Sequence, residues 1–526
     1  MALFTYVDVP VIIILLVIAY VSYYYYEYFT RESPLPGPLP LPLIGNAFTV
    51  AGDIAIWPSK LQLKYGDMFE VYMGPRRKVW LCNEKLAEKI FNSTTNSNFH
   101  NRINEDCDLK EIGLVNTGLA FNIDYENWTY VRKFYSKAIF SPAFMKQAMI
   151  STQNIFQKME SYWAEFDEDT VLDFSLWIRN SITDTVFLLT TSRSLHALTN
   201  YYNEISPKKD TNISDSTLKE SEYFLKCTSA LLNAVMWFFM VPKFFRDFPG
   251  IRLYTNKLKE QVKWLKNFVN EIVKERREEI ARTPEDEELT RDLLTMFLTV
   301  NTSRDITKGI ADDINDRIMT DEEITHNFIE ILGAGINTVS DLMCYLVYLI
   351  SKQPEVKQRL IKEFDEVLGK GSNFQLTYEG VNKLLYCDAV IKEASRVSSV
   401  APFIVKRNEK PDEVGGYTFP EYTEFFINYV AIRKHKSKWT DPELFNPNRF
   451  FDKSHPDYEN DPHTFGDGLR KCPGRNLARL NLKVILVMLF KKYDVELMDS
   501  ESPLKFSGTL MKQCTGFKVK IKKRSN

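Results

Sequence analysis

Cysteine is scarce in this chain: only seven of its 526 residues are cysteine. So few cysteines exclude a disulfide-stapled scaffold, and no two of them form a CxxC or CxxCH motif. The number is also odd. We therefore expect one cysteine to have a function of its own.

An excess of charge of one sign is also absent. The chain has 67 lysines and arginines and 69 aspartates and glutamates, so its net charge is −2. This balance argues against a surface built wholly to bind nucleic acid. Apolar residues at 44% and charged residues at 26% exclude a disordered chain, a collagen-like chain and a polytopic membrane protein. The length alone predicts three or four domains of roughly 150 residues.

Long apolar runs are missing except at the N-terminus. Val9 to Tyr26 contains no charged side chain, and its 18 residues are close to the ~20 that span a bilayer. Tyr23 to Tyr26 resemble an interfacial aromatic belt. A cleaved signal peptide is the alternative, but the segment lacks a basic n-region and an A-x-A-like cleavage site. We predict an anchor over residues 1–26, with its transmembrane part at about 9–26.

A proline-rich segment follows the anchor. Pro34 to Pro42 contains five prolines in nine residues, which excludes helix and central strand and favours a stiff spacer. We predict a hinge over residues 27–46. After residue 46 the sequence shows no repeat, no low-complexity tract and no convincing second linker. Despite the length, we therefore predict one domain over residues 47–526.

Local patterns within this domain are mostly helical. Apolar residues recur at helical spacing from Leu258 to Val273, Thr320 to Glu323 form a capping box, and Pro354 begins a further helix. Short strands are predicted within 69–82, about a Gly74-Pro75 turn, and within 398–430. A final helix is predicted from about Arg475 to Lys491. The fold class is therefore mainly α with small β-sheets.

Chemistry concentrates around Cys472. Two glycines precede it and one follows it in the loop 465–474, so the loop can adopt positive φ angles and let a large planar group approach its backbone. Arg470, Lys471 and the following helix N-terminus predict an electropositive setting that lowers the pKa of the thiol. Such a thiolate is either a metal ligand or a nucleophile, and the remaining alternative is a plain buried cysteine in a Gly-rich turn. His463 is the only neighbouring base in the sequence.

Five motifs in one order resemble those of the cytochrome P450 family. Residues 465–474 (FGDGLRKCPG) match the haem-binding signature FxxGxRxCxG, 393–396 (EASR) match ExxR, and 128–132 (WTYVR) match WxxxR. Residues 445–450 (FNPNRF) resemble the PxRF segment, and 334–338 (AGINT) resemble the oxygen-binding helix motif. With the anchor and the hinge, the resemblance covers essentially the whole chain.

The resemblance implies haem b as cofactor and a role for each matching residue. Cys472 would be the axial ligand of the iron, because a thiolate ligand favours O–O cleavage, and Phe465 would shield it. The resemblance assigns the haem propionates to Arg470, Arg132 and Trp128, with Lys406 as a further donor. It assigns a structural triad to Glu393, Arg396 and Arg449.

The distal helix contains a departure from the family. By resemblance, Gly333 and Gly335 would let haem and oxygen approach the backbone, and Thr338 would orient the oxygen. The family usually has Asp or Glu where this chain has Asn337, and an amide cannot release a proton by ionising. Either Thr338 and a water chain, or another acid such as Glu330 or Asp341, would then deliver protons. Asn337 also fits chemistry that needs no external protons, or simple tolerance at this position.

The candidate substrate contacts are all apolar, which fits a lipophilic substrate or, equally, core packing. They are Val400, Phe403, Ile404, Ala334, Ile336 and Leu510.

No dinucleotide fingerprint is present, so a separate protein would have to supply electrons. The resemblance gathers a set of basic residues on one face. They would steer an acidic partner, an NADPH-dependent P450 reductase first and cytochrome b5 second. The set is Arg132, Lys133, Arg433, Lys434, Lys436, Lys438, Lys471, Arg475 and Arg479.

Four N-glycosylation sequons occur, at Asn92, Asn127, Asn212 and Asn301. Asn127 adjoins Trp128, where a glycan is hard to reconcile with a haem pocket. We therefore expect unused sequons and a single-pass protein of the endoplasmic reticulum membrane whose domain faces the cytosol.

Three functions follow from these expectations. The first is a monooxygenase that inserts one oxygen atom from O2 into a lipophilic substrate. The second, motivated by Asn337, is a reductase-independent isomerase or dehydratase that acts on a peroxide. The third is a non-catalytic haem-binding protein.

Overall fold

The computed structural model describes residues 8–50, 56–92, 94, 97–103, 107–116, 118–307, 317–371, 374–507 and 513–524. Within these residues the chain is mainly helical, and its strands are short, as predicted. The helices are α1 (Asp8–Thr30), α2 (Trp57–Tyr65), α3 (Glu84–Phe91), α4 (Tyr125–Phe140), α5 (Pro142–Trp163), α6 (Phe174–Thr191), α7 (Ala197–Ile205), α8 (Asp215–Met240), α9 (Lys243–Arg246), α10 (Pro249–Arg282), α11 (Leu293–Thr299), α12 (Asp321–Ser351), α13 (Pro354–Leu368), α14 (Tyr378–Asn382), α15 (Leu385–Val397), α16 (Tyr429–Ile432) and α17 (Arg475–Lys492).

The strands form four small sheets. They are β1 (Met68–Met73), β2 (Arg76–Leu81), β3 (Leu172–Asp173), β4 (Phe403–Arg407), β5 (Asp412–Val414), β6 (Tyr417–Phe419), β7 (Glu424–Asn428), β8 (Tyr493–Leu497), β9 (Lys505–Ser507), β10 (Gln513–Thr515) and β11 (Lys518–Lys523). The largest sheet has the order β1-β2-β7-β4, and only its β2–β7 pair is parallel, with Val79 opposite Phe425. The others pair β3-β11-β8, β5-β6 and β9-β10.

The N-terminal helix α1 lies outside the packed domain. Three helices among the described residues are long and apolar enough to cross a membrane, but the apolar windows of α8 and α12 are 61% and 67% buried within the protein. The window in α1 is 0% buried. Apolar side chains such as Leu16 and Ile14 are therefore exposed and available to contact a lipid bilayer. The helix continues to Thr30, beyond the predicted end at residue 26.

The proline-rich segment is fastened to the first sheet. The backbone N–H of Glu70 on β1 donates to the carbonyl of Pro36 over 2.9 Å. The buried carboxylate of Glu70 also binds Arg31 and Arg77, each over 2.6 Å. A side chain at Gly37 would collide with the backbone carbonyl of Glu70. The spacer that follows α1 is therefore held against the domain at one defined place.

Two helices run through the centre of the core. Helix α12 packs against α6, α8 and α10, and α17 packs against α5. Most side chains of α6, α12 and the second half of α17 are buried around the whole helix, as expected of central helices. The predicted apolar face of α10 is buried from Leu258 to Val273, which confirms it. The capping box at Thr320 and Glu323 is also confirmed, with both reciprocal hydrogen bonds present.

The strands predicted at 69–82 and within 398–430 are confirmed as β1, β2 and β4 to β7. The C-terminal strands β8 to β11 were not predicted. Strand β8 continues directly from α17, and β11 alternates lysine with apolar residues. That alternation is the strand signal that was available in the sequence.

Candidate active site

The loop that carries Cys472 is shaped by its glycines. Gly466 and Gly468 have φ angles of 69° and 63°, a region that glycine enters without strain. The backbone N–H of Cys472 donates to the carbonyl of Phe465 over 2.8 Å, which closes the loop. Helix α17 begins at Arg475, so Cys472 lies just before a helix N-terminus. This is the loop geometry expected from the sequence.

The pKa of the Cys472 thiol differs from the expectation. Burial raises this pKa, and it outweighs the backbone N–H of Gly474 and the positive charges of Arg132, Arg102 and Arg475, which act to lower it. The expected electropositive setting is present, but desolvation of the thiolate is the larger effect. The expectation of a lowered pKa is therefore wrong for the protein without a metal. A metal ion that coordinates a thiol deprotonates it outright.

His463 is engaged elsewhere. One ring nitrogen contacts a carboxylate oxygen of Glu84 over 2.8 Å, and the other contacts Asp467. Although burial opposes the charged form, these two contacts raise the pKa of His463. The ring also stacks on Phe91, with centroids 4.6 Å apart. Since both nitrogens face carboxylates, the geometry gives no support to His463 as the base of a cysteine nucleophile.

Arg470 and Trp128 pack together beside the cysteine loop. The guanidinium carbon of Arg470 lies 4.0 Å from the ring centroid of Trp128. Arg470 donates to the backbone carbonyls of His100, Leu119 and Asn122 over 3.0, 3.1 and 2.8 Å. The indole N–H of Trp128 donates to the same Leu119 carbonyl over 3.1 Å. Two of the predicted haem-binding side chains are thus brought into contact.

Two other predicted donors lie in the same region. Arg132 on α4 donates to the carbonyl of Lys471, next to Cys472, and burial lowers its pKa to about 10. Lys406 on β4 donates to the carbonyl of Phe99 over 3.1 Å. Burial lowers the pKa of Lys406 well below its usual range, and the charges of Arg102 and Arg470 lower it further.

Arg102 was not predicted to belong to the site. It donates to the carbonyl of Arg470 over 3.4 Å, and its charge acts on Cys472, Lys406 and Arg132. Its buried Nε has no hydrogen-bond partner among the described residues. None of the sequence motifs includes Arg102, so no signal separated it from other arginines.

These side chains form a cation cluster, which we define as Arg102, Arg132, Lys406 and Arg470. The acid facing it is Glu330 on α12, whose pKa is raised to about 7 by burial. Several cations gathered in one buried place are costly unless an anion joins them. Together with the unpartnered Nε of Arg102, the cluster therefore fits the two carboxylates of a haem.

On α12, Thr338 and Ala334 form an accessible stripe. Ala334 is exposed and Thr338 partly so, although Gly333, Ile336 and Asn337 beside them are buried. The hydroxyl of Thr338 donates to the carbonyl of Ala334 over 2.7 Å. These two residues are therefore accessible on a helix most of whose side chains are buried.

The two glycines of α12 have different surroundings. A Cβ at Gly333 would come within 2.9 Å of Leu231 on α8, so close helix packing accounts for this glycine. The expectation that Gly333 serves the approach of a cofactor is corrected accordingly. A Cβ at Gly335 would lie 3.7 Å from Val186 on α6, an ordinary contact distance. The prediction that Gly335 contacts haem stays a prediction.

The three predicted structural residues come together in the core. The carboxylate of Glu393 accepts from Arg396 over 2.7 and 2.8 Å and from Arg449 over 3.2 Å. Arg449 also pairs with Asp457, which the sequence analysis missed. All four side chains are buried. Arg396 further donates to the backbone carbonyls of Arg433, Pro442 and Leu444, so the triad ties α15 to the segment that precedes the cysteine loop.

The predicted substrate contacts separate into two groups. Ala334, Val400 and Ile404 are at least partly accessible. Phe403 and Ile336 are buried among other side chains, with Phe403 packed on Trp80 and Phe426, so the structure does not place them on an accessible surface. Leu510 lies outside the described residues.

The predicted basic face also changes in membership. Arg433 is buried and donates to the carbonyls of Pro462 and His463 over 2.8 Å each, so it is corrected to a structural residue. Lys434 and Lys438 pair with Glu443 and Glu84.

Comparison with known proteins gives a family and several relatives. A model of the family described as cytochrome P450 matches residues 35–521. The chain is 25% identical to steroid 17-alpha-hydroxylase/17,20 lyase of Mesocricetus auratus, over 88% of this chain and 86% of that protein. It is 23% identical to cytochrome P450 3A5 of Homo sapiens, over 90% of this chain and 87% of that protein.

A third relative is a self-sufficient cytochrome P450 monooxygenase of Penicillium freii, which is 24% identical over 92% of this chain but only 43% of its own length. The family match covers most of the chain and includes every motif described above. The chain therefore belongs to the cytochrome P450 family: it is a membrane-anchored haem-thiolate monooxygenase that carries haem b and takes O2, a lipophilic substrate and electrons from a redox partner.

Proposed function

We propose that Cys472 is the axial ligand of the haem iron, in a monooxygenase that hydroxylates a lipophilic substrate with electrons from an NADPH-dependent P450 reductase. The observation that carries this proposal is the cation cluster beside the cysteine loop, with the unpartnered Nε of Arg102. A bound haem with a thiolate ligand supplies O2 binding and favours O–O cleavage. We keep residues 1–26, 27–46 and 47–526 as the proposed anchor, hinge and catalytic domain.

The residues of this chain divide the remaining work. The two propionates are held by the cation cluster, that is, by Arg102, Arg132, Arg470 and Lys406. The indole of Trp128 supports Arg470. Phe465 covers the thiolate and fixes the loop through its carbonyl. Thr338 offers its hydroxyl on the accessible stripe of α12, and Asn337 is its buried neighbour.

The substrate is proposed to be apolar. The accessible candidates Ala334, Val400 and Ile404 carry no polar side chain that would require a matching group. Two of the relatives described above are named as a steroid hydroxylase and a cytochrome P450 3A enzyme. This supports a bulky lipophilic substrate that partitions into the membrane in which α1 is anchored.

The electron donor is proposed to dock on the face of the cysteine loop. Lys471, Arg475 and Arg479 are partly exposed around Cys472 and fit an acidic flavoprotein surface. NADPH-cytochrome P450 reductase is the first candidate and cytochrome b5 the second.

A single-pass endoplasmic reticulum location with a cytosolic domain is proposed as well. The amide of Asn127, part of a sequon, donates to Glu323 over 2.5 Å and accepts from Asn122 over 2.6 Å. A glycan on the side-chain amide of Asn127 would disturb these contacts. This supports a location of the domain on the cytosolic side, where glycosyltransferases of the lumen do not reach it.

The experiment that tests this function is turnover under ¹⁸O₂. With reductase and NADPH, the product of a lipophilic substrate is expected to gain one labelled oxygen atom, and omission of either component is expected to abolish it. Turnover of an organic hydroperoxide that needs neither reductase nor NADPH, with no O2-dependent product, would instead establish the isomerase or dehydratase that Asn337 first suggested.

A further inference from the structure

Three buried polar atoms without partners belong to α6 and α12, two helices that pack against each other. They are Nε of Arg179, Oδ1 of Asn337 and Oδ2 of Asp341, none of which has a hydrogen-bond partner among the described residues. Asn337 and Asp341 are only 3% and 2% exposed. Buried polar groups of this kind are normally satisfied by protein or by ordered water. These three atoms therefore mark places for internal water.

Helix geometry brings Asp341 close to the oxygen-orienting position. Asp341 follows Asn337 by four residues and Thr338 by three, so its side chain neighbours each of them along the helix surface, one turn farther on. Gly335 faces Val186 of α6, and Asp341 interacts with Arg179, seven residues earlier on α6. The two helices therefore run antiparallel, and Arg179 lies beside Asp341.

Asp341 has one oxygen held and one available. Its Oδ1 accepts the backbone N–H of Cys514 on β10 over 2.7 Å. Arg179 faces it from α6 but forms no direct ion pair with it, and one guanidinium nitrogen of Arg179 donates to Ser229 of α8 over 2.6 Å. Among the described residues, Cys344 on α12 and Cys514 are further titratable groups at this place, and Asp173 acts on Cys344. Burial raises the pKa of Asp341 to about 7, so its carboxyl group can hold a proton at neutral pH.

Glu330, the other acid considered on α12, is used differently. Its carboxylate accepts the backbone N–H of Ala120 over 2.8 Å, and Leu119 and Phe121 also donate to it. It faces Arg102 and lies two turns before Asn337. Glu330 therefore joins α12 to the segment behind the cation cluster, whereas Asp341 has an oxygen left for water.

We propose that Asp341 is the proton-relay residue of this enzyme, in place of the acid that Asn337 lacks. The inference rests on the monooxygenase reaction and on Thr338 as its oxygen-orienting residue. Water bound between Oδ2 of Asp341 and the amide of Asn337 passes protons toward Thr338, and Arg179 orients the carboxyl group from α6. The reaction consumes O2, two electrons from the redox partner and two protons, and yields the hydroxylated substrate and water. Each proton leaves the Asp341 carboxyl group, which then takes another from solvent.

The first test measures coupling in the full-length holoenzyme with reductase and NADPH. Asp341→Asn is expected to lower product formation about 100-fold, the contribution of a positioned proton donor, and to divert electrons to hydrogen peroxide. Turnover supported by added hydrogen peroxide is expected to survive. Asp388→Asn, which changes an acid on α15 that pairs with Lys483, is the matched control and keeps wild-type coupling. Wild-type coupling in Asp341→Asn, or equal loss of the peroxide-supported reaction, would overturn the proposal.

The second test separates a relay from a structural role. Wild-type turnover is expected to fall as the pH rises past the ionisation of Asp341 and to slow in D2O, and Asp341→Asn loses both dependences. Asn337→Asp, added to Asp341→Asn, restores coupling because it places an acid directly before Thr338 in the helix. Asp341→Glu retains the carboxyl group and both dependences, and it serves as the test variant if Asp341→Asn does not fold. No rescue by Asn337→Asp, or unchanged pH and solvent isotope dependence in Asp341→Asn, would contradict the relay.

A third readout does not depend on activity. Infrared difference spectra of the holoenzyme are expected to show a protonated carboxyl band that titrates near neutral pH and is absent from Asp341→Asn. Together with turnover, this readout separates the proposed function from the role of Asp341. Lack of O2-dependent turnover in the wild type would refute the proposed function, whereas lack of the band would refute the role of Asp341 alone.

Discussion

At the scale of single residues, this protein buries charge in two different ways. Glu393, Arg396 and Arg449 neutralise one another through direct hydrogen bonds. Among the described residues the acid that faces the cation cluster is Glu330, and burial favours its neutral form, so the cluster is not balanced in this way. The first arrangement stabilises the fold, and the second is suited to bind an anion.

The raised pKa of Glu330 predicts a pH dependence of stability. Its folded pKa of about 7 exceeds the ordinary value, so the native state retains a proton that the unfolded chain has lost. Between about pH 4.5 and 7 this group should lower the free energy of unfolding as pH rises, by at most about 1.4 kcal/mol per pH unit. Glu330→Gln removes that contribution.

Denaturant titrations of the wild type and Glu330→Gln across pH 4.5 to 8 measure the difference. The two curves of the free energy of unfolding against pH are expected to be parallel above pH 7. Below pH 7, the wild-type value is expected to fall more steeply as the pH rises. Parallel curves over the whole range would show that Glu330 is ionised normally in the folded protein.

At the scale of secondary-structure elements, the proline-rich segment is more than a spacer. Its backbone pairs with β1, and Arg31, just after α1, binds the buried Glu70. The anchor helix is therefore tied to the first sheet, which in turn carries Lys406 of the cation cluster on its strand β4.

Gly37→Ala is expected to detach this segment, because the added Cβ would collide with the backbone carbonyl of Glu70 rather than with a movable side chain. We expect a loss of about 1–3 kcal/mol in stability and faster proteolysis between residues 31 and 46. Gly250→Ala is the control, since nothing lies within 4 Å of a Cβ at that position near the start of α10. Equal proteolysis of the two variants would mean that the hinge is not docked as described.

Much of the element pattern could be predicted, for identifiable reasons. The capping box at Thr320 and the apolar face of α10 are local signals, and both are present in the structure. Arg102 was missed because its partner Arg470 lies far away in the chain. Asp457 was missed because no motif links it to Arg449, although the two are only 8 residues apart. The thiol pKa of Cys472 was misjudged because sequence shows neighbouring charges but not the cost of desolvation. Sequence could not decide between pocket contact and core packing for Phe403 and Ile336, because an apolar residue looks the same in a pocket and in a core, and both are buried in the structure.

At the scale of the whole molecule, α1 is the part that needs a membrane. It has no buried side chain in its apolar window, whereas the less apolar windows of α8 and α12, with a mean hydropathy of 1.3 against 2.0, are mostly buried in the domain. Membrane attachment and the haem domain should therefore be separable.

Deletion of residues 1–30 is expected to release most of the protein from membranes, because about 20 apolar residues are removed from the bilayer. The truncated protein should keep its haem, since Arg31 and the segment after it still bind the first sheet. Flotation of membranes followed by haem measurement checks both statements. A truncated protein that lacks haem would show that α1 supports the fold of the domain.

Ligation of the haem iron by Cys472 can be measured in the optical spectrum of the reduced, CO-bound protein. A thiolate-ligated haem gives the red-shifted Soret band for which the family is named. We predict that band in the wild type and in Cys227→Ala, which changes a buried cysteine of α8, and its loss in Cys472→Ala. Retention of the band by Cys472→Ala would contradict the account.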